Sequence, residues 1–162
     1  MEERLNEKNS FVIQVYQVAE DLNIPRTVVS NILYEFIAYI KVELCQSKEV
    51  RLLGLANILP DNKQSYVSTV AYQSMKVSNK IGISYFTCLQ VVKYYLEYLR
   101  KELSSGICID IRSLFSIHPI YENGEVVSYH SSLSDSVKRD VPNLRVHTCR
   151  LLKGKLNDWE DS

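Results

Sequence analysis

Apolar residues recur at steps of three and four over residues 10–22, at Val12, Val15, Tyr16, Val18, Ala19 and Leu22. That spacing marks one face of an amphipathic helix. Pro25 interrupts it, because proline disfavours helix at the preceding residue yet fits a first helical turn. A longer helix is therefore expected over 25–46, with Val28, Val29, Ile32, Leu33, Phe36, Ile37, Ile40 and Leu44 inward. The polar turn Ser47-Lys48-Glu49 leads into a β-prone run, 50–59, that contains Gly54. An isolated glycine in a strand pattern marks a bulge, a bend or a tight hairpin.

After a polar break at 61–65 the same order begins again. A helix is expected over 68–80, with Val70, Ala71, Ser74, Met75, Val77 and Ser78 inward. Ile81-Gly82-Ile83-Ser84 reads as a stop followed by a start, with Ser84 as N-cap. The second long helix, 84–104, presents Cys88, Val91, Val92, Tyr95, Leu96, Leu99 and Leu103. Ser105-Gly106 ends it, and a strand pair follows at 107–111 and 114–120. The halves align without a gap at an offset of 59, which takes Val18 to Val77, Ile24 to Ile83, Tyr39 to Tyr98, Glu43 to Glu102 and Ile58 to Ile117. Chance identities would not also repeat the helix break, the turn and the ribbon in register, and such repetition reveals architecture before any single motif does.

Only the second half carries an extension. Asn123-Gly124 between β-prone residues predicts a hairpin over 121–129. A polar stretch at 131–143, a strand at 144–149 and a short helix at 151–159 follow. The expected organisation is a polar N-terminal tail (1–9), a first unit (10–60), a second unit (66–120) and the extension (121–159). A unit of about 60 residues buries a marginal core alone, so each long helix should pack against the other copy. Tyr34, Tyr39, Tyr94, Tyr95 and Tyr98 crowd these helices, more than one inward face holds. Most should pack in the core or at the joint, and the rest suit protein interfaces.

Composition narrows the chemistry. Lys+Arg and Asp+Glu both number 19, giving zero net charge, whereas a protein living on phosphate contacts carries an excess of cations. No run of about 18 apolar residues suggests a membrane span, and the charged start lacks the texture of a signal peptide. Cys45, Cys88, Cys108 and Cys149 show no CxxC spacing and read as reduced thiols, mostly in core positions. His118, His130 and His147 with Cys149 lack the tight four-ligand spacing of structural zinc, so no metal is expected. Ser131, Ser132 and Ser134 lie near His130 and Asp135, but no nucleophile elbow or phosphate loop surrounds them. Neither an enzyme nor a cofactor is expected. Lys138, Arg139, Arg145, Arg150, Lys153 and Lys155 form the one basic concentration. They are candidate phosphate contacts, or a solvated face balanced by Glu122, Glu125, Asp135, Asp140, Asp158 and Glu160. Asn123, Gly124, Val126, Val127 and Tyr129 are candidates for an arm that contacts another protein.

Two segments carry a family resemblance: Val18-Ala19-Glu20-Asp21-Leu22-Asn23-Ile24, and Lys48-Glu49-Val50-Arg51-Leu52-Leu53-Gly54-Leu55-Ala56-Asn57-Ile58. Helix, turn, long helix, polar turn and then this strand resemble the HU/integration-host-factor (IHF) family over residues 10–120. The second copy reads Arg112-Ser113-Leu114-Phe115-Ser116-Ile117, with Ser113 where the glycine would sit. The resemblance implies an α+β, helix-rich fold: two tandem HU-like units packed as an intramolecular pseudo-dimer with β-arms. The chain departs from the family's DNA benders, since the first copy has almost no arm. The second copy's arm lacks an Arg-rich stretch and the tip proline that kinks a duplex. A fused pair of this kind is similar to the IHF-subunit-like virion proteins of crAss-like bacteriophages, built as rings in the neck between portal and tail. That similarity implies a structural ring subunit, self-associating, with portal or tail proteins as partners, assembled in the cytoplasm of a bacterial host. The alternative is a DNA-binding architectural protein of the bacterial nucleoid, for which only weak duplex binding is expected.

Overall fold

Left-handed backbone and capping residues decide where each helix stops and starts. The protein is described by a computed structural model over residues 8–61, 67–141 and 143–148. Helix α1 (Phe11–Leu22) ends at Asn23, whose φ of 55° turns the chain while the carbonyls of Ala19 and Glu20 accept the next two backbone N–H groups. Helix α2 (Arg26–Cys45) starts behind Pro25 and buries seven of the eight expected side chains; Val28 is half-buried. Helix α3 (Val70–Ile81) stops at Gly82, φ 75°. Ser84 caps helix α4 (Tyr85–Ser104), its Oγ accepting the Thr87 N–H at 3.2 Å. All seven side chains expected on the inner face of α4 are buried.

The two shorter helices depart from their expected faces. In α1, Val12 and Tyr16 are 76% and 53% exposed, while Gln14 is buried. In α3, Ala71 and Met75 are exposed, Ser78 is half-buried and Gln73 is buried. Hydrophobicity ranked these positions wrongly because each glutamine amide satisfies backbone groups inside, as described below. The thiols also differ from expectation: Cys88 is buried, Cys108 half-buried and Cys45 exposed, all three free.

The strands form two four-stranded sheets among the described residues. One places β1 (Lys8–Asn9), β5 (Cys108–Ile111), β6 (Phe115–Glu122) and β7 (Glu125–Leu133) side by side. The other orders β4 (Val67–Ser68), β2 (Glu49–Leu52), β3 (Ala56–Leu59) and β8 (Arg145–Thr148). Gly54 thus sits in a tight hairpin between β2 and β3. The registers repeat at the offset of 59. Lys8 lies opposite Cys108 and Val67 opposite Glu49, both pairings parallel; Val50 faces Ile58 as Ile109 faces Ile117. Each half therefore lays its leading strand on the sheet of the other half. The polar tail expected over 1–9 is corrected accordingly: Lys8 and Asn9 form a strand, Asn9 is buried, and the helix begins at Phe11. Ser68, expected in a helix, is likewise in a strand.

The extension also folds differently from its pattern. Strand β7 runs on to Leu133, and Ser134 caps a short helix, α5 (Asp135–Asp140), so the polar stretch expected from 131 is structured through 140. The strand expected at 144–149 is Arg145–Thr148, and it pairs with β3 of the first half. It fills in that sheet the place that β7 takes beside β6. The helix expected at 151–159 lies outside the described residues, as do positions 62–65 of the polar break.

At the centre, Phe36 of α2 meets Tyr95 of α4 edge to face, ring centroids 6.5 Å apart; these residues are themselves 59 apart. The Tyr95 hydroxyl donates to Gln14 Oε1 at 2.7 Å, and burial pushes its pKa far up. Gln14 Nε2 donates to the carbonyls of Asn9 (2.7 Å) and Asp110 (2.8 Å). The counterpart Gln73 Nε2 donates to the Ser68 carbonyl at 3.1 Å, but Phe36 has no hydroxyl and Gln73 Oε1 is buried without a hydrogen-bond partner. Each leading strand is also fixed to a glutamate of the other half's long helix. Asn9 Nδ2 donates to Glu102 Oε1 at 2.6 Å, and Ser68 Oγ donates to Glu43 Oε1 at 2.5 Å. Glu43 is fully buried and its charge is met by Lys48 Nζ at 2.7 Å. Glu102, only half-buried, has Ile107 in the place of that lysine.

Two expectations follow. Tyr95→Phe should lower stability by about 1–3 kcal/mol, the cost of stranding a buried acceptor, and Phe36→Tyr should raise it by about 1 kcal/mol by supplying Gln73 Oε1 with a donor. Urea denaturation measures both. Ser113 adopts φ 64° where its counterpart Gly54 has 78°. Ser113→Gly should stabilise by about 0.5–1 kcal/mol, relief of left-handed strain exceeding glycine's added chain entropy; an unchanged melting midpoint would contradict it.

Candidate functional site

Strands β6 and β7 continue past their sheet as a ribbon closed by Asn123 and Gly124, both left-handed (φ 54° and 80°), the backbone a two-residue hairpin turn requires. The hairpin expected at 121–129 is thus the end of a longer one, shifted in register at Ile120/Tyr121. Its lower half belongs to the body: Phe115 pairs with Leu133, and the Ser134 N–H donates to the Leu114 carbonyl at 2.8 Å. Its outer half is tied down by Tyr121, whose hydroxyl donates to the Gly106 carbonyl at 2.7 Å. Of the predicted arm residues, Asn123, Gly124 and Val127 are exposed, while Val126 and Tyr129 are half-buried. Ile120 and Tyr121, which sequence reasoning missed, are 42% and 48% exposed. The ribbon's outer part therefore shows neighbouring apolar side chains to solvent.

The polar groups singled out from the sequence fall into separate places. His118 and His130 face each other across the ribbon, ring centroids 5.0 Å apart. His147 lies on the other sheet opposite Asn57, and Cys149 lies outside the described residues. Among the described residues no three His, Cys, Asp or Glu side chains converge. Ser134 caps α5 and donates to the Ser113 carbonyl at 2.8 Å, so the Ser/Asp cluster holds the loop after the ribbon.

The basic candidates are scattered in the same way. Lys138 and Arg139 are exposed on α5, where Asp140 pairs with Lys41 at 3.0 Å and lies 3.9 Å from Arg139. Arg145 is exposed opposite Leu59, and Arg150, Lys153 and Lys155 lie outside the described residues. Between Ser113 and Val137 the chain has no Lys or Arg but has Glu122, Glu125 and Asp135. The ribbon is thus acidic, and its tip sets Glu122 opposite Glu125.

One feature was not anticipated. A cleft of about 650 Å³ opens between α1 and α2, with Val12, Tyr16, Arg26, Tyr34 and Arg112 among its lining residues. The Arg26 guanidinium stands 4.9 Å from the Tyr16 ring centroid. That of Arg112 stands 5.5 Å from the Phe11 ring and 5.7 Å from the Tyr34 ring. These are cation–π distances. At the offset of 59 the counterparts of Tyr16, Arg26 and Tyr34 are Met75, Tyr85 and Lys93, and Leu53 is that of Arg112. The cleft therefore has no equivalent at the repeat-related place, and the available signal was the divergence of the repeat at these positions.

The sequence matches no known protein-family model and no curated protein.

A Cβ at Gly106, φ 88°, would collide with the Tyr121 hydroxyl. Gly106→Ala should therefore displace the ribbon, whereas Tyr121→Phe should keep the fold and only release it. Amide hydrogen exchange over 119–129 should speed up in both variants, with a stability loss of about 2 kcal/mol or more confined to Gly106→Ala.

Proposed function

We propose that this chain is a tandem HU/IHF-like protein, packed as an intramolecular pseudo-dimer, that serves as a structural ring or connector subunit in the portal–tail neck of a tailed bacteriophage. The observation that carries the reading is the reciprocal exchange of leading strands in one register, Lys8 on Cys108 and Val67 on Glu49. It is what two fused helix–helix–ribbon units would do in the place of two separate chains. The absence of cations from the ribbon favours a structural role over a DNA-bending one, since phosphate contact by such an arm needs Lys or Arg along it. The ribbon's exposed Ile120, Tyr121 and Val127 suit contact with a neighbouring protein. In this reading the protein acts by assembly with itself and with portal or tail components, without catalysis or cofactor, and resides in the virion. No helix among the described residues is long and apolar enough to cross a membrane.

The second reading is an architectural DNA-binding protein of the HU/IHF type. Lys138, Arg139 and Arg145 favour it, being exposed cations on adjoining elements. Mass photometry of the purified protein, alone and with duplex DNA, separates the two. Closed oligomers of defined mass, with duplex retained weakly, are expected, and a gel or fluorescence assay should show the duplex unbent. A species that stays monomeric and binds duplex tightly, with affinity falling steeply with salt, would establish the second reading instead.

A further inference from the structure

The Arg26–Arg112 cleft carries two exposed guanidinium groups. Both guanidinium groups lie against aromatic rings, and neither forms an ion pair with a described carboxylate. Beside them Val12, Tyr16 and Tyr34 are all more than half exposed. A surface that is apolar, aromatic and doubly cationic complements a ligand that is aromatic and anionic. The segment of the sequence where carboxylates crowd an aromatic ring most densely is Asp158-Trp159-Glu160-Asp161, three carboxylates around the chain's single tryptophan, outside the described residues.

We infer that Asp158–Asp161 of one copy docks into the Arg26–Arg112 cleft of a neighbouring copy. The inference rests on the self-assembly part of the proposed function and names the contact that makes it. Charge complementarity selects the occupant, and 11 residues of reach beyond the last described strand allow it to meet a neighbour. Thr148, the last described residue, pairs with Ala56 beside the turn at 53–55. The cleft lies under the equivalent turn of the other half, where Arg112 sits. The tail therefore leaves the body at the turn related by the repeat to the one over the cleft. From Thr148 to Trp159 is 11 residues, at most about 36–40 Å when extended. The self-assembly reading makes the cleft of an adjoining copy the acceptor. A tail-into-cleft contact is heterologous, the type that builds a ring when its rotation closes and a filament when it does not.

Trp159, as the only tryptophan, makes its own emission the readout in the intact chain. Its emission maximum should move to shorter wavelength as protein concentration rises through the range in which mass photometry shows assembly. Arg26→Glu with Arg112→Glu should abolish that shift and weaken assembly on the order of tenfold or more. Asp158→Lys with Glu160→Lys should do the same. Circular dichroism checks folding, and Arg26→Gln with Arg112→Gln serves as a milder cleft variant giving the same direction of change. Mixing the charge-reversed cleft variant with the charge-reversed tail variant should restore both assembly and the shift, because each then meets a complementary surface on the other. A blue-shifted emission independent of concentration, with no rescue on mixing, would place the tail on its own body and overturn the inference. Assembly that proceeds unaltered in the charge-reversed variants would overturn it while leaving the ring reading intact. A chain that never assembles at any concentration would overturn both.

Discussion

A two-residue strand has too few hydrogen bonds to exist by itself, so β1 and β4 form only where a finished sheet edge receives them. Each finds that edge on the half of the molecule that does not contain it: Lys8–Asn9 on β5, Val67–Ser68 on β2. Everything central depends on this exchange. Asn9 and Ser68 carry their side chains to Glu102 and Glu43, and the buried amides of Gln14 and Gln73 fasten to the same strands. The long helices are thus tied at their C-terminal ends by polar bonds and at their middle by Phe36 on Tyr95. Neither half could keep these bonds if the other moved away, because buried donors and acceptors would be stranded.

The repetition is geometrical, and its chemistry has drifted. Where one half answers a buried glutamine with Tyr95, the other has Phe36. Where one balances a buried glutamate with Lys48, the other has Ile107 beside a half-buried Glu102. Six of the nine left-handed positions among the described residues come in pairs, Asn23 with Gly82, Ser47 with Gly106 and Gly54 with Ser113, so the backbone shape outlasted the residue best suited to it. The sheets differ most. One obtains its fourth strand from the adjoining ribbon, the other from β8 after the chain has passed through α5.

That difference distributes the surfaces. The ribbon ends in an acidic tip with apolar side chains beside it, held to the body by Tyr121. At the seam of the two halves, Arg26 of the first and Arg112 of the second make a cationic and aromatic cleft, although the chain as a whole is neutral. A second tyrosine link joins α1 to α4, the Tyr94 hydroxyl donating to Asp21 Oδ2 at 2.6 Å, a bond that raises the Tyr94 pKa to about 12.

From the sequence by itself came the four helices α1 to α4, the offset of 59, the cap at Ser84 and the whole inner face of α4. These depend on periodicity and local backbone chemistry, which a single stretch of chain carries within itself. The turn at Asn123-Gly124 was legible for the same reason. The tertiary structure alone decided that Lys8–Asn9 and Val67–Ser68 are strands, since two residues have no period and their partners lie about 100 and 18 positions away. It alone sent Gln14 and Gln73 inward and Val12 and Tyr16 outward, because burial of a polar side chain depends on the acceptors that wait for it. It also assigned Arg145–Thr148 to the first half's sheet, as strand pairing over such distances is settled by which edge is left open. The cleft was hidden for a related reason: Arg112 comes from a turn and Tyr16, Arg26 and Tyr34 from two helices, so only folding brings their rings and guanidinium groups together.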